Sequence, residues 1–326
     1  MNRVGEDGVG VVGVGAVGAS VGRAGVDAVG GGLKVDKATT TPTVAAEVAG
    51  NAARETMPKV FTGVGVALVT IFKPDGAVDP AATAALAADL VRRGMRAVLV
   101  AGTTGEAGTL TQDERTVLIS AVRAAIPADV PVIAGTGAAQ ADTAVELTAA
   151  AVRAGADAAL AYPPPVPASA GLSADQTGGA AYSANLANYY QAIGAAAAGR
   201  AVLAYHVPWI SAPGVPVADL PALPIAGIKD SSGSADRLLD ELAHYSGATY
   251  VGSSALLAMA GPMGGTGAIL ALANVEPEAC CQAFDGSAAT QRDLADVHLD
   301  VRAGGPAAIK RILRRRAGYC DYSRVS

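Results

Sequence analysis

The sequence predicts an α/β protein whose fold is a (β/α)8 TIM barrel with additional C-terminal helices. From about residue 60 onward, short apolar runs alternate with alanine-rich stretches that carry apolar residues at helical spacing. Eight such strand–helix units follow one another over about 250 residues, the length typical of this barrel. A doubly wound open sheet is the alternative, since alternation alone fits both folds. The barrel is favoured because eight units fit without remainder.

Each predicted strand is a short apolar run, and each predicted helix is a longer segment of helical period. The first four units pair strand 64–70 with helix 80–93, strand 97–101 with helix 112–125, strand 131–135 with helix 141–154, and strand 157–161 with helix 184–197. The second four pair strand 201–207 with a short helix at 217–221, strand 225–229 with helix 234–245, strand 249–252 with helix 254–260, and strand 267–272 with helices 276–284, 288–302 and 305–316.

These elements divide the chain into a barrel over 58–275, helices packed on it over 276–317, and a tail over 318–326. Residues 1–57 are rich in Gly, Val, Thr and Ala without a sustained period, so a flexible leader is predicted there. Residues 13–18 match the Gly-x-Gly-x-x-Gly dinucleotide fingerprint. The Gly-Val repetition makes chance matches easy and too few residues precede it for a full βαβ unit, so a nucleotide site is not favoured.

Composition excludes several classes of function. The formal net charge of −5 comes without a basic stripe, which argues against nucleic acid as a partner. The three cysteines, Cys280, Cys281 and Cys320, indicate reduced thiols and a cytoplasmic protein. Cysteines and histidines show no metal-ligand spacing, and no apolar run reaches the length of a membrane span. The sequence therefore predicts neither a metal nor a membrane partner.

Lys229 closes the apolar run 223–228 and precedes the turn-like residues 230–233, in a chain with six lysines against eighteen arginines. Burial disfavours an ammonium ion and so makes a neutral, nucleophilic amine available. Lys229 is therefore a candidate Schiff-base lysine. The structural alternative is a strand-end lysine whose stem packs while its head reaches water.

Three further segments fall at strand ends, where the loops of a barrel converge on one face. The loop Gly102-Thr103-Thr104-Gly105-Glu106 suits a small anion such as a carboxylate, or is an ordinary turn before a helix capped by Thr109 or Thr111. Tyr205 is a candidate proton shuttle or a rim aromatic, and His206 is expected to face away and pack. The glycines of 264–267 permit close backbone approach before the last strand.

Together these segments resemble the dihydrodipicolinate synthase/N-acetylneuraminate lyase family of class I pyruvate-dependent aldolases. The resemblance covers residues from about 60 to 317, with the motifs in the family's order and spacing. The segments that carry it are Gly102–Glu106, Val132–Gly137, Tyr205–Pro208, Gly227–Gly233 and Gly267–Asn274.

The resemblance implies that Lys229 forms an imine with pyruvate or another 2-keto acid and that Tyr205 and Thr104 relay protons. The keto-acid carboxylate would be held by Gly102, Thr103 and Thr104, with the backbone of Gly267 and Ile269 near the lysine. Glu106 is expected to anchor its loop. The imine itself is the electron sink, so no cofactor is expected. A homodimer or homotetramer is implied by the resemblance alone.

Two family features are missing. By the resemblance, dihydrodipicolinate synthases carry an arginine that binds the aldehyde's carboxylate at the position where this chain has Ile210. The family often has a Pro-Tyr-Tyr run where this chain has Pro164-Pro165-Val166. Tyr162 falls four positions too early to take the second tyrosine's role. The region 168–182 also carries about ten residues more than the family pattern, as a lid over the barrel mouth or as a harmless insertion.

The sequence thus predicts a Schiff-base-forming lyase or aldolase that joins pyruvate or a related 2-keto acid to an aldehyde, or cleaves or dehydrates a keto-deoxy sugar acid. Trp209 and Ile210 favour an apolar aldehyde. One alternative is an authentic 4-hydroxy-tetrahydrodipicolinate synthase with an altered substrate clamp. Another, of a different class, is a non-catalytic relative that senses 2-keto acids.

Overall fold

The computed structural model of the protein describes residues 59–166 and 179–325. The predicted leader over 1–57, the fingerprint within it and most of the predicted 168–182 insertion lie outside the described residues. The barrel and its C-terminal helices lie within them.

Eight parallel strands close into a barrel in chain order, because the first strand pairs with the last as well as with the second. This closure confirms the predicted barrel and excludes the open doubly wound sheet. Since all the strands are parallel, their carboxyl ends and the loops that follow them share one face. The strands are β1 Gly63–Ala67, β2 Val98–Val100, β3 Val132–Gly135, β4 Ala158–Ala161, β5 Ala201–His206, β6 Gly227–Asp230, β7 Ala248–Val251 and β8 Gly267–Leu270.

Helices connect the strands and continue beyond the barrel. They are α1 Pro80–Arg92, α2 Gln112–Ala125, α3 Ala141–Arg153, α4 Ala180–Ala196, α5 Ala235–His244, α6 Leu257–Ala260, α7 Pro277–Phe284, α8 Ala288–Asp293 and α9 Ala295–Ala317, with a short 3-10 helix Val217–Ala222 between β5 and β6. Thr111 caps α2 through a capping box with Glu114, which confirms one of the two predicted caps. Across the described ranges, none of the helices combines the length and the apolar character that a membrane span needs.

Several elements differ from the prediction in length, among them β1 and the helix predicted over 288–302. β1 ends at Ala67 rather than at residue 70. The Leu68 N–H still donates to the Leu99 carbonyl of β2 at 2.9 Å, but the groups after it bond outside the sheet: the Val69 N–H donates to Asn274 Oδ1 (3.1 Å) and Thr70 Oγ1 donates to the Gly105 carbonyl (2.7 Å). The predicted helix 288–302 is divided into α8 and the start of α9. α9 then runs on to Ala317 across a kink, where Gly305 adopts a non-helical φ of 53°.

Aromatic packing closes the amino-terminal end of the barrel. The rings of Phe61 and Tyr250 stack with centroids 4.6 Å apart, and Tyr250 Oη donates to the Phe61 carbonyl at 2.8 Å. Further buried members of the same apolar cluster are Leu99, Ile133, Leu160, Leu203, Tyr205 and Ile269. With this end filled by side chains, as in TIM barrels generally, ligand chemistry is confined to the carboxyl ends of the strands.

Candidate active site

Lys229 and Tyr205 lie side by side on adjacent strands. Lys229 is the third residue of β6, Tyr205 is the fifth of β5, and the two are register partners. The Nζ atom of Lys229 lies 4.4 Å from the centroid of the Tyr205 ring. Both residues are buried, with exposed fractions of 5% and 6%. The head of Lys229 therefore contacts an aromatic face inside the protein, rather than reaching water from a packed stem.

The Tyr205 hydroxyl is surrounded by groups that favour its deprotonated form. Ser231 Oγ donates a hydrogen bond to Tyr205 Oη at 3.4 Å. Burial by itself raises the pKa of the Tyr205 phenol, but the charge of Lys229 and hydrogen bonds that include those of Ser231 and Thr103 outweigh it, so that the pKa is lowered from its ordinary value. A phenol whose pKa is lowered toward neutrality is better suited to exchange protons with a reacting group.

The loop after β2 brings Thr103 to this phenol. Where the chain leaves β2, Gly102 packs closely against the Leu99 side chain: a Cβ atom added to Gly102 would stand 2.9 Å from Leu99 Cδ2. Thr103, which follows, is exposed, and its side chain is one of the groups near Tyr205 that lower the pKa of the phenol. Thr104 is half-buried in the same turn. The structure therefore gathers four sequence-predicted residues, Gly102, Thr103, Tyr205 and Lys229, and places Thr104 beside them.

Glu106 anchors this loop, as the sequence predicts. Its backbone has a left-handed φ of 59°, and its carboxylate is buried with an exposed fraction of 2%. One carboxylate oxygen forms an ion pair with the buried Lys310, and the other accepts hydrogen bonds from the C-terminal residues 323–325. With every acceptor of the carboxylate directed into the protein, Glu106 has a structural role.

The role of Gly267 in substrate binding stays a prediction, and the structure shows a packing role for this glycine. Gly267 is the first residue of β8 and packs deep in the barrel, where an added Cβ atom would stand 2.4 Å from the Gly63 carbonyl oxygen and 3.1 Å from the Tyr250 ring. Glycine is required there for packing between strands, at the end of β8 away from its following loop. Ile269, two residues further on, is buried in the same apolar cluster as Tyr205. The predicted contact between its backbone and the substrate remains a prediction.

A cavity of about 570 Å³ opens beside Tyr205, the residue that Lys229 contacts. Thr103, Tyr205 and Ile210 are among the residues that line it, so the predicted carboxylate loop, the phenol and the apolar substitute for the missing arginine face one space. The lining also includes residues that were not singled out for the site, among them Arg115, Tyr162 and Val325. A cavity of this size is within the range of small-molecule sites.

Arg115 and Tyr162 form a polar side of the cavity. Arg115 Nη1 donates to the Gly135 carbonyl at 3.1 Å, and its Nη2 donates to the Ala107 carbonyl. Burial lowers the pKa of Arg115, and the Tyr162 phenol opposes this shift. The Tyr162 ring centroid lies 6.5 Å from that of Tyr205. Tyr162 directly follows the predicted strand 157–161, and this strand-end position could have indicated that it lies at the site. Arg115 lies within a helix, and its position in the sequence gives no such indication.

His206 packs away from this cluster, as its place in the strand predicts. Its Nδ1 accepts a hydrogen bond from the Val215 N–H at 3.0 Å. Burial, aided by the charge of Arg237, lowers the pKa of His206 to about 3, which keeps the ring neutral. Within the described ranges, no group of three His, Cys, Asp or Glu side chains is placed to hold a metal ion.

Comparison with known proteins gives one consistent result. The model of the dihydrodipicolinate synthetase family matches residues 60–302. The 4-hydroxy-tetrahydrodipicolinate synthase of Salinibacter ruber is 35% identical over 247 residues, which cover 72% of this chain and 77% of that protein. The enzyme of the same name from Hyphomonas neptunium is 38% identical over 231 residues, covering 68% and 73%. The chain belongs to the dihydrodipicolinate synthetase family.

A solved structure from the same family agrees with the fold. The dihydrodipicolinate synthase of Acinetobacter baumannii, in its chloride-inhibited form complexed with pyruvate, superimposes with a TM-score of 0.69 at 26% identity, covering 82% of this chain and 92% of that one. As a member of the dihydrodipicolinate synthetase family, the protein is an enzyme of the class I lyase and aldolase type, as its sequence predicts.

Of the two departures from the family pattern, one lines this cavity and the other does not. Ile210 faces the cavity in place of the arginine, while its neighbour Trp209 is 64% exposed and does not form part of the lining. The Pro164-Pro165-Val166 segment leaves β4 with Val166 N–H bonded to the Ala212 carbonyl at 2.9 Å. Only Ile210 therefore bears directly on the surface that an aldehyde substrate would meet.

Proposed function

We propose that this protein uses Lys229 to form an imine with pyruvate or a related 2-keto acid and either joins the keto acid to an aldehyde or releases it from a keto-deoxy sugar acid. The observation that carries the proposal is the contact between Lys229 Nζ and the Tyr205 ring, with the Tyr205 hydroxyl accepting a hydrogen bond from Ser231. A buried amine next to a proton-transfer group is the arrangement that Schiff-base chemistry needs.

Each step of the proposed reaction uses a group at the site. The neutral amine of Lys229 adds to the ketone carbon, and the carbinolamine loses its hydroxyl as water to give the imine. Tyr205 supplies the proton to the departing hydroxyl, with Thr104 as relay, while Thr103 and Thr104 hold the carboxylate. The imine then accepts the electron pair released when the neighbouring carbon loses a proton or when its C–C bond breaks, which gives an enamine.

The enamine completes the reaction in either direction. In synthesis its carbon attacks the aldehyde carbonyl, and Tyr205 protonates the resulting alkoxide. In cleavage the enamine is protonated on carbon after the aldehyde leaves. Water then hydrolyses the imine, releasing the keto acid and restoring the amine of Lys229. Because the imine formed on the chain's own lysine is the electron sink, we propose that no cofactor takes part.

Ile210 supports an aldehyde partner without a carboxylate. An apolar wall offers no ionic partner, and the loss of a buried arginine–carboxylate contact costs roughly 2–5 kcal/mol of recognition. The names of the Salinibacter ruber and Hyphomonas neptunium relatives favour a second candidate, 4-hydroxy-tetrahydrodipicolinate synthase activity with a different clamp. We further propose a cytoplasmic homo-oligomer, which the odd cysteine count and the family resemblance support.

A two-way substrate screen tests this proposal. Keto-deoxy sugar acids are offered singly and pyruvate release is followed, and pyruvate is offered with apolar, sugar-derived and carboxylate-bearing aldehydes while aldehyde loss is followed. Turnover of a keto-deoxy acid or of an aldehyde without a carboxylate supports the proposal, provided that Lys229→Ala removes it. Turnover restricted to aspartate semialdehyde would establish the second candidate instead. Pyruvate binding without turnover of any substrate would indicate the sensing role.

A further inference from the structure

The segment after α9 returns to the carboxylate loop. Arg324 fixes this return: its guanidinium donates to the Gly76 carbonyl (2.8 and 3.0 Å), to the Thr109 carbonyl (2.9 Å) and to both oxygens of Glu114 (2.6 and 3.0 Å). It also lies over the Phe72 ring, 4.5 Å from the centroid. The hydrogen bond from Arg324 is the largest of the effects that lower the pKa of Glu114 to about 2. Because its guanidinium is bound by several partners, Arg324 also fixes the positions of the residues next to it in the chain.

The same segment supplies most of the partners of Glu106. One carboxylate oxygen accepts from Ser323 Oγ (3.0 Å) and from the backbone N–H groups of Arg324 (2.7 Å) and Val325 (3.0 Å). The other pairs with Lys310, whose ammonium also donates to the Tyr322 carbonyl at 3.0 Å. A buried charge pair is stable only when its remaining hydrogen-bonding capacity is satisfied in this way.

Glu106 in turn fixes the shape of the turn that holds Thr103. Its left-handed φ of 59° is a conformation that costs a residue with a side chain about 1–2 kcal/mol, so contacts must hold it. Its N–H donates to the Thr103 carbonyl at 3.0 Å, and its own carbonyl accepts from Thr109 Oγ1 at 2.9 Å. Thr104 and Thr103 precede Glu106 by two and three residues in the same turn. The contacts that the C-terminal segment makes with Glu106 therefore also hold this turn.

Val325 extends this connection to the cavity, since it lines the same space as Thr103 and Tyr205. We propose that residues 322–325 are a positioning element of the keto-acid site: they hold Glu106 in its left-handed conformation, so that Thr103 is set against Tyr205, and they close one wall of the substrate cavity. This inference rests on the proposed function, because it assigns the segment a part in binding the keto-acid carboxylate.

Substitution of Arg324 tests the inference. In Arg324→Ala the segment loses its guanidinium contacts, and the pyruvate concentration that gives half-maximal borohydride-trapped adduct is expected to rise about tenfold or more, the loss of roughly one charged hydrogen bond. Once a substrate is identified, the effect falls on KM more than on kcat. Arg324→Lys recovers part of the affinity. Arg92→Ala, which removes an exposed ion pair on α1, is the control and leaves the value unchanged.

Hydrogen exchange on the unaltered protein gives a second test that does not depend on how a variant folds. If the ordered conformation of residues 322–325 strengthens keto-acid binding, then keto-acid binding must stabilise that conformation by the same free energy. Pyruvate is therefore expected to slow amide exchange at Arg324 and Val325. An unchanged half-saturating concentration in a folded Arg324→Ala, or unchanged exchange at these amides with the site saturated, overturns the inference while leaving the imine intact. Absence of any adduct on the unaltered protein contradicts the proposed function itself and the inference with it.

Discussion

The Nζ atom of Lys229 lies 4.4 Å from the centroid of the Tyr205 ring, and the two residues are register partners on β6 and β5. Because this pairing is set by the backbone ladder of the barrel, their proximity follows from the strand register and needs no movement of a loop. The loop after β2 then brings Thr103 close to the phenol of Tyr205. The amine of Lys229 and the phenol of Tyr205 are thus held together by two adjacent strands, which suits the preorganisation that a reactive site requires.

Ser231 is expected to tune the phenol. Its hydroxyl donates to Tyr205 Oη at 3.4 Å, a contact that lowers the pKa of Tyr205. In Ser231→Ala that pKa rises, so the alkaline limb of the pH profile for imine formation moves to higher pH and the rate near neutral pH falls, by about 10-fold or less. Stopped-flow measurement of adduct formation across pH checks this. Ser232→Ala is the neighbouring control, and an alkaline limb that does not move in Ser231→Ala would contradict the role.

Ile210 is expected to decide which aldehydes are accepted. Ile210→Arg places a guanidinium on the cavity wall, and it should lower KM for an aldehyde that carries a carboxylate by about 10-fold or more. Trp209→Arg adds the same charge one residue away on an exposed side chain and is the matched control. Steady-state kinetics with paired charged and uncharged aldehydes measure the effect. Equal changes in the two variants would show that general charge, and not the cavity wall, is responsible.

Gly267 is expected to matter for stability and not for binding. In Gly267→Ala the new methyl group would stand 2.4 Å from the Gly63 carbonyl, so the free energy of unfolding should fall by about 1–3 kcal/mol as the strands shift. Gly194→Ala, in an open position on α4, should instead be neutral or slightly stabilising. Urea denaturation gives both values. A stable Gly267→Ala protein that binds pyruvate poorly would instead support the substrate-binding role that the sequence predicts for Gly267.

Glu241 makes the stability of the protein depend on pH. It is fully buried on α5, 3.0 Å from Arg237 Nη2, and burial, with a smaller contribution from Asp230, raises the pKa of its carboxyl to about 8. The folded protein therefore retains a proton that the unfolded chain has lost between its ordinary pKa of 4.5 and about 8. Stability falls as pH rises through this window, at up to about 1.4 kcal/mol per pH unit, and stays low above it.

Glu241→Gln should remove this dependence and be the more stable protein above the window. Urea midpoints measured from acidic to alkaline pH test the expectation. Asp236→Asn changes an exposed carboxylate on the same helix and should keep the slope of the parent. The same slope in Glu241→Gln as in the parent would assign the pH dependence to another group.

The fold and the proximity of Lys229 to Tyr205 could be predicted because both follow from local patterns in the sequence. Lys229 stands out as a polar end to an apolar strand, and Tyr205 and the Thr103 loop occupy corresponding places after other strands. Once the barrel is assumed, its geometry brings strand ends together. The substrate role of Gly267 does not follow from its being a glycine, because a glycine marks close approach without saying whether the neighbour is a ligand or a backbone group such as the Gly63 carbonyl.

The residues that sequence reasoning missed depend on contacts between distant parts of the chain. Val325 reaches the cavity because Arg324 and Glu106 hold the C-terminal segment there, and those partners are more than two hundred residues apart in sequence. Arg115 reaches it from within a helix whose other side packs on the barrel. Neither position carries a periodic or motif signal, so only the tertiary structure could place them.

Borohydride trapping tests the central claim most directly. The protein is incubated with pyruvate, reduced, digested and analysed by peptide mass spectrometry, with Lys229→Arg treated in parallel. The expected result is one reduced pyruvate adduct per chain, located on Lys229 and absent from the variant. An adduct on another lysine, or no adduct at saturating pyruvate with the protein folded, would contradict the assignment of Lys229 as the imine-forming residue.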